Sequence, residues 1–270
     1  LFMQAPTGSL WDETAEMMIE LQMREAFRRR TPWGVSESCY NVMDLNMNYN
    51  NLKTDYLMKT DATAQSVVIY DNSGKRRIFC DLKDFQEKSY DENIFINAAN
   101  DCDVLCLCNI NYSRNLLKIA REMDKCIACD VHVLADINDE YNRDFMQYAD
   151  ILFLSNENIV GREEEFLTQI KDNFNSKIIV CGLNSKGALM YVRDDDCFYV
   201  QNSFETRRVV NTVGAGDSLF SSFVHFYAKG YSPYDSIKYA CVYASYKIGE
   251  NGAAKGFLEE DKLLCLTENL

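Results

Sequence analysis

Residues 209–223 read VVNTVGAGDSLFSSF, and this stretch holds the most informative pattern in the chain. Two β-branched valines lead into Gly214-Ala215-Gly216-Asp217, after which a helical run begins. Glycine and aspartate cluster in turns, and aspartate is a common N-cap, so a capped turn is one interpretation. The other is an anion-binding helix N-terminus with a general base beside it. The surrounding sequence decides between the two.

The composition excludes several classes of protein. The 270 residues are 47% hydrophobic, enough for one large domain or for one domain with an appendage. No run approaches about eighteen consecutive apolar residues, so we expect no membrane partner. The net charge of −13 argues against a nucleic-acid partner, because nonspecific affinity for nucleic acids comes from clustered lysine and arginine.

The 11 cysteines predict neither a disulfide framework nor a zinc site. Most lie in apolar runs, where a free cysteine behaves as a small hydrophobic residue. Cys126 and Cys129 form a CxxC pair without a second pair, whereas structural zinc needs a full tetrahedral set of ligands. The first residues, LFMQAPTGSLWDE, also lack the basic segment of a signal peptide. We therefore expect reduced cysteines and a cytoplasmic location.

From residue 61 onward the sequence alternates strand and helix patterns. Residues 66–80 predict a hairpin that turns at 71–74. Buried strands separated by amphipathic helices then indicate βαβ units and a mainly parallel sheet covered on both faces. The predicted strands are 103–110, 131–138, 150–155, 177–183, 188–194 and 197–202, and the predicted helices are 113–124, 140–148, 162–173 and three that begin near 216, 233 and 258.

Residues 1–50 differ from this pattern. Residues 12–30 have apolar side chains at helical spacing, with acidic residues early and arginines late, which predicts a helix. Residues 41–60 are polar and rich in asparagine. We therefore expect an N-terminal helical segment at 1–50 and an α/β domain at 51–270.

The glycine-rich stretch fits the place where open α/β sheets bind ligands, the carboxyl ends of the strands. We interpret residues 209–217 as a strand, a glycine turn and a helix N-terminus. The backbone N–H groups of Gly214, Ala215 and Gly216 could converge on an oxyanion that the helix dipole also favours. Asp217 then stands where it could accept a proton from an attacking hydroxyl. This arrangement suits phosphoryl transfer.

With these residues the chain resembles the ribokinase-like (PfkB) carbohydrate kinases. Their signature D-T-x-G-A-G-D precedes a helix, and residues 211–217 (NTVGAGD) match it at all but the first position. The resemblance covers about residues 52–270 and implies a ribokinase-like, doubly wound, mainly parallel sheet with helices on both faces. Further stretches that resemble the family are the hairpin at 66–77, the D-x-N of 136–138, ADILFLSNEN at 149–158, IIVCGLNSKGALMY at 178–191 and ENGAAKGF at 250–257.

The resemblance implies transfer of the γ-phosphoryl group of ATP to a hydroxyl of a sugar or nucleoside. Asp217 would be the catalytic base, and Gly214, Ala215 and Gly216 would form the anion hole. Mg²⁺ is expected to neutralise the phosphates of ATP. The residues implied to bind ATP are Asn156, Asn184, Lys186, Gly187 and Cys241.

The resemblance also implies a monovalent cation that stiffens the anion hole. Its ligands would be the carbonyl groups of Asn211, Val213, Glu250 and Gly252. Whether this ion is K⁺, and whether the protein forms a homodimer, stay open.

The chain departs from the family pattern in three of these motifs. Asn211 replaces the first aspartate of the signature, and Asn184 stands where the nucleotide loop usually has glycine. Ile159 replaces the glutamate of the N-x-x-E motif that begins at Asn156. Each change removes a charge or alters a backbone preference at a position that the resemblance places in the site.

A larger departure lies at the front of the chain. The glycine-rich segment with which the family binds its phosphoryl acceptor has no counterpart there, so we expect an N-terminally incomplete kinase domain. Residues 32–49 (PWGVSESCYNVMDLNMNY) instead resemble a short stretch of the glucoamylase-like domain of cyclic β-glucan synthase. A second function therefore stays open beside the sugar kinase, namely a nucleotide-binding remnant or interaction module without turnover.

Overall fold

The computed structural model describes residues 65–70, 76–84, 86–250 and 256–270. Strands β1 (Gln65–Tyr70) and β2 (Arg76–Asp81) pair antiparallel and form a sheet of their own, which confirms the predicted hairpin. The turn predicted at 71–74, the helix predicted at 12–30 and the whole N-terminal segment 1–50 lie outside the described residues.

The main sheet has 6 strands that lie side by side in chain order. The first four run parallel, and the last two pair antiparallel as a hairpin at one edge. This is the mainly parallel α/β sheet that the sequence predicts. The strands are β3 (Val104–Cys106), β4 (Cys126–Val133), β5 (Ile151–Ser155), β6 (Ile178–Gly182), β7 (Gly187–Val192) and β8 (Cys197–Asn202).

Helices cover both faces of this sheet. Parallel strands in sequential order, joined by crossovers of one hand, place their connecting helices on one face. The opposite face therefore needs helices from elsewhere in the chain, and α5 and α6 supply them. The helices are α1 (Glu92–Ala99), α2 (Arg114–Glu122), α3 (Arg143–Tyr148), α4 (Glu163–Asn173), α5 (Ala215–Ala228), α6 (Pro233–Lys247) and α7 (Glu260–Glu268).

Each face has its own hydrophobic core. One core joins the sheet to α1–α4, and the other joins it to α5 and α6. In the second core, Phe153 of β5 meets Phe220 and Phe223 of α5 edge to face, with ring centroids 5.2 and 5.3 Å apart. Such contacts fix the position of α5 on the sheet, because edge-to-face aromatic pairs are directional as well as apolar.

The strand predicted at 131–138 is wrong in its boundaries, since β4 spans Cys126–Val133. The preceding turn ends at Asp124, which has a left-handed φ of 55°, so the chain enters the sheet earlier than its apolar pattern suggests. The ladder to β5 then shifts register between Asp130 and Val133, where His132 has a φ of 56°. Residues 134–138 therefore leave the sheet.

The segment 209–211 is not a strand, contrary to the sequence interpretation. The amides of Val210 and Asn211 both donate to the carbonyl of Ile248, at 2.8 and 3.1 Å. This extended segment is thus tied to the end of α6, because β7 and β8 have already completed that edge of the sheet.

Two further features qualify the sequence analysis. Cys126 packs into the core beneath α5 and α6, whereas Cys129 belongs to the opposite core, as expected for strand residues an odd number apart. This pair cannot chelate a single ion.

Within the described part of the chain, none of the helices combines the length and the apolar character needed to cross a bilayer.

Candidate active site

The first turn of α5 lies at the carboxyl ends of β5 and β6. A methyl group added at Gly182, the last residue of β6, would sit 3.8 Å from both the carbonyl of Leu154 and the side chain of Leu219. Leu219 thus lies close to the end of β6. Asp217, in the same first turn, is partly buried beside this edge. The predicted base lies two residues before Leu219, near the edge at which open α/β sheets bind ligands.

The turn that precedes α5 is held by local hydrogen bonds. Gly214 is the N-cap and has a left-handed φ of 81°, which glycine adopts without strain. The side-chain oxygen of Asn211 accepts from the amide of Val213 at 2.9 Å, and the carbonyl of Thr212 accepts from Ala215 at 3.2 Å. An asparagine oxygen can make this contact as an aspartate would, so the change at 211 preserves the turn and removes only a charge.

The space in front of Gly216 is open. Gly216 is exposed, and a Cβ added there would meet no atom of a neighbouring group within 4 Å. The N–H groups in the first turn of a helix have no intrahelical acceptor and point out of its end. An open approach to such donors, at the positive end of the helix dipole, suits a bound oxyanion.

A second part of the site links the ends of β5 and β6 through the side chain of Asn156. Asn156 is 4% exposed, and its Oδ1 accepts from Nδ2 of Asn184 at 2.7 Å. Its own Nδ2 donates to Oε1 of Glu163 at 2.8 Å. The other carboxylate oxygen of Glu163 accepts from the amide of Gly161 at 2.8 Å. Asn156 therefore connects two loops.

Glu163 contacts the predicted site residue Asn156, and the sequence analysis did not identify it. Hydrogen bonding by Asn156 is the largest cause of a lowered pKa for this carboxyl, and the positive charge of Lys186 adds to it. A residue that is ionised and faces a lysine of the predicted nucleotide turn belongs to the same cluster. The sequence signal available was the run of three glutamates at 163–165, which reads equally well as a favourable helix N-terminus.

Ile159, which replaces the family's glutamate, is 1% exposed and packs in the core. Its amide donates to the carbonyl of Asn156 at 2.9 Å. A carboxylate at 159 would be buried in an apolar core, so the acidic group near Asn156 comes from Glu163 instead.

Residues 184–187 form a tight turn between β6 and β7. Asn184 has a left-handed φ of 56°, which asparagine tolerates better than most residues. Gly187 has a φ of 105°, and a Cβ there would lie 2.0 Å from the carbonyl oxygen of Gln201. Only glycine fits at 187. Lys186 is exposed beside it and can reach a ligand at this edge.

Two other residues of the predicted motifs, Cys241 and Asn138, make no contact with the cluster around Asn156 among the hydrogen bonds described above. Cys241 is 5% exposed in the core of α5 and α6, and burial raises the pKa of its thiol to about 12. Cys241 can therefore contribute only an apolar surface to a nucleotide site. Asn138 bonds to Asp136 within one exposed turn, its amide 2.9 Å from Oδ1.

The predicted cation loop is described in part. Gly252 lies outside the described residues. The carboxylate of Glu250 is paired with Arg207, with Oε1 and Nη1 3.0 Å apart. Val213 is buried, and its amide is bonded to Asn211 as described above.

Comparison with known proteins identifies relatives. Residues 43–260 match the pfkB family of carbohydrate kinases. The chain is 26% identical over 218 residues to a protein named ribokinase from Dictyostelium discoideum, an alignment that covers 66% of this chain and 68% of the relative.

Solved structures show the same fold. A microbiome-derived acarbose kinase superposes with a TM-score of 0.76 at 19% identity, covering 87% of this chain and 78% of that one. An Escherichia coli structure described as a putative ribokinase II with ATP and Mg²⁺ gives 0.72 at 15%, covering 87% and 80%. Arabidopsis thaliana ribokinase with ribose and ATP gives 0.68 at 15%, covering 80% and 73%. With the family match spanning most of its length, the chain belongs to the pfkB family of carbohydrate kinases.

Proposed function

We propose that this chain transfers the γ-phosphoryl group of ATP to a hydroxyl of a sugar, with Asp217 as the base. The observation that carries the proposal is the position of Asp217, which lies in the first turn of α5 beside the open space at Gly216. A carboxylate and outward-pointing amides at one helix end can serve the two partners of a phosphoryl transfer. The amides stabilise the charge on the phosphoryl oxygens, and Asp217 accepts the proton of the attacking hydroxyl.

The anion hole is formed by Gly214, Ala215 and Gly216. Gly214 sets the left-handed turn that aims the following amides outward, and Gly216 leaves their approach free of side-chain atoms. Because little covalent chemistry is required of the protein in phosphoryl transfer, such positioning and charge stabilisation supply most of the catalysis.

The nucleotide lies along the turn at 184–187 in this proposal. Lys186 offers a positive charge for the phosphates, and Cys241 of α6 faces the apolar core between that helix and the sheet. Asn156 acts as a positioning residue because it accepts a hydrogen bond from Asn184. Glu163 acts as one because it holds Asn156 and the amide of Gly161. Mg²⁺, bound with ATP, would neutralise phosphate charge.

The acceptor is a sugar, or a nucleoside in the wider class. Relatives described as ribokinase and as acarbose kinase support a carbohydrate acceptor, and those described as complexes with ATP support the donor. We further propose that residues 51–270 form the kinase domain and that 1–50 are an added segment.

The experiment is calorimetric titration with ATP and Mg²⁺ beside a kinase assay over hexoses, pentoses, oligosaccharides and nucleosides. Turnover on one sugar supports the kinase proposal and removes the alternative of a remnant without activity. Nucleotide binding without transfer to any acceptor supports that alternative. A chain that binds no ATP contradicts both.

A further inference from the structure

We propose that Arg207 braces the loop leading into the anion hole, so that phosphoryl transfer by this chain requires no monovalent cation. The inference rests on the proposed function, and it departs from the cation that the family resemblance implies. Its basis is the set of contacts around one guanidinium group.

Arg207 lies in the segment between β8 and α5 and reaches the end of α6. Its Nε donates to the carbonyl of Tyr246 at 2.6 Å, and its Nη1 pairs with Oε1 of Glu250 at 3.0 Å. The guanidinium carbon also lies 3.7 Å from the centre of the Tyr246 ring, where a cation is attracted to the π face. Three contacts thus attach one side chain to the same helix end.

Two glycines make room for this side chain. A Cβ at Gly249 would lie 2.2 Å from Nε of Arg207. A Cβ at Gly256, where φ is 74°, would lie 2.3 Å from Cγ of Glu250 and 3.0 Å from Nη2 of Arg207. The backbone is therefore shaped around the pair of Arg207 and Glu250, which indicates a built contact and not an incidental surface ion pair.

Arg207 acts on the anion-hole loop through the backbone hydrogen bonds of the residues that follow it. Val210 and Asn211 donate to the carbonyl of Ile248, which lies between Tyr246 and Glu250 in sequence. Asn211 in turn accepts from Val213, at the start of the turn that holds Gly214. Fixing residues 207–211 to the end of α6 therefore fixes the entry to the helix whose amides form the anion hole.

Two of the predicted cation ligands, Asn211 and Glu250, are already held by contacts within the chain, Asn211 by Ile248 and Glu250 by Arg207. Glu250 is a predicted ligand through its carbonyl, and its carboxylate is already paired with Arg207. The Arg207 guanidinium can therefore do the tying that a bound ion would do.

The test compares wild type, Arg207→Ala, Arg207→Lys and a matched control, Arg208→Ala, whose side chain is exposed one residue away. Turnover is measured in KCl and in choline chloride at equal ionic strength. Wild type and Arg208→Ala should agree in the two salts within twofold. Arg207→Ala should lose at least tenfold in kcat in choline chloride and recover part of it with K⁺ or with guanidinium ion, and Arg207→Lys should fall between.

Hydrogen exchange gives a readout that does not depend on activity. The amides of Val210 and Asn211 should exchange at least tenfold faster in Arg207→Ala than in wild type, and at the wild-type rate in Arg208→Ala. A chain that binds no nucleotide would contradict the proposed function. The contacts of Arg207 would still be tested by hydrogen exchange. Stimulation of wild type by K⁺ of tenfold or more, or unchanged exchange at both amides in Arg207→Ala, would overturn the inference.

Discussion

The Nδ2 atom of Asn156 lies 2.8 Å from Oε1 of Glu163, 7 residues further along the chain. The same asparagine holds Asn184 through its oxygen, so one buried amide connects the end of β5, the start of α4 and the turn after β6. A buried amide that is satisfied on both sides fixes the relative positions of its partners, because breaking either bond leaves a buried polar group without compensation.

Replacing Glu163 with Gln should weaken nucleotide binding. Glutamine has one acceptor oxygen where the carboxylate uses two, so the bond to Asn156 or that to Gly161 is lost. We expect KM for ATP to rise about tenfold, which corresponds to about 1.4 kcal/mol, with a smaller change in kcat. Steady-state kinetics measure this split. The matched control is Glu164→Gln, on the exposed face of the same helix turn, and equal behaviour of the two variants would contradict a positioning role.

The stability contributed by Glu163 should depend on pH in a defined direction. Its pKa is lowered from 4.5 in the folded chain, mainly by the hydrogen bond from Asn156. A depressed folded pKa stabilises the protein above the unfolded value, and the contribution disappears as pH falls through the folded value. Denaturant unfolding of wild type and Glu163→Gln should therefore differ by a constant amount near neutral pH, and the two should converge below pH 4.5. If the difference in unfolding free energy between wild type and Glu163→Gln grew as the pH fell, this account would be wrong.

Asp217→Asn should remove transfer and keep binding. Asparagine has nearly the same shape but cannot accept the proton, so kcat should fall by about 10²–10⁴-fold while the Kd for ATP stays within about twofold. Calorimetry and the kinase assay on one preparation provide both values. Asp261→Asn makes the same change in the first turn of α7 and should alter neither. Loss of ATP affinity in Asp217→Asn would indicate a role in the ground state.

Two glycine substitutions should have opposite effects. Gly216→Ala places its methyl group in open space, so the melting temperature should stay within about 2 °C while transfer is lost, because the methyl group occupies the approach to the anion hole. Gly187→Ala should destabilise the fold by about 2–3 kcal/mol or more, since its Cβ would meet a backbone oxygen at 2.0 Å. Calorimetric melting beside the kinase assay separates the two. A stable Gly187→Ala protein would contradict the tight turn.

Thiol reactivity should follow burial among the described cysteines. Cys197 and Cys265 are exposed, whereas burial raises the pKa of both Cys106 and Cys241 to about 12. Because the thiolate is the reactive form, alkylation at pH 8 followed by peptide mass mapping should label the first two at least tenfold faster. Rapid labelling of Cys106 in the native protein would show that the core beneath α5 opens.

The sequence by itself determined the fold class, and it predicted the base. Strands buried on both faces form continuous apolar runs, and β5, β6 and β8 therefore agree with prediction to within a residue or so. The glycine turn before α5 could be read directly as well, because a left-handed N-cap favours glycine at 214.

Other features depended on contacts between residues far apart in the chain. The strand boundary at Cys126 depends on a left-handed residue and a register shift, neither of which leaves an apolar pattern. Residues 209–211 have strand-like composition, yet Ile248 rather than a neighbouring strand accepts their hydrogen bonds.

The partners of Glu163 and Arg207 were likewise decided only by the tertiary structure. A glutamate at a helix N-terminus and an arginine in a connection look like ordinary surface residues in sequence. Folding brings Glu163 against a buried amide and Arg207 across 43 residues to Glu250. Short-range patterns determine which residues are apolar and where the chain turns, whereas the pairing of charges across such distances is set by how the sheet and helices pack.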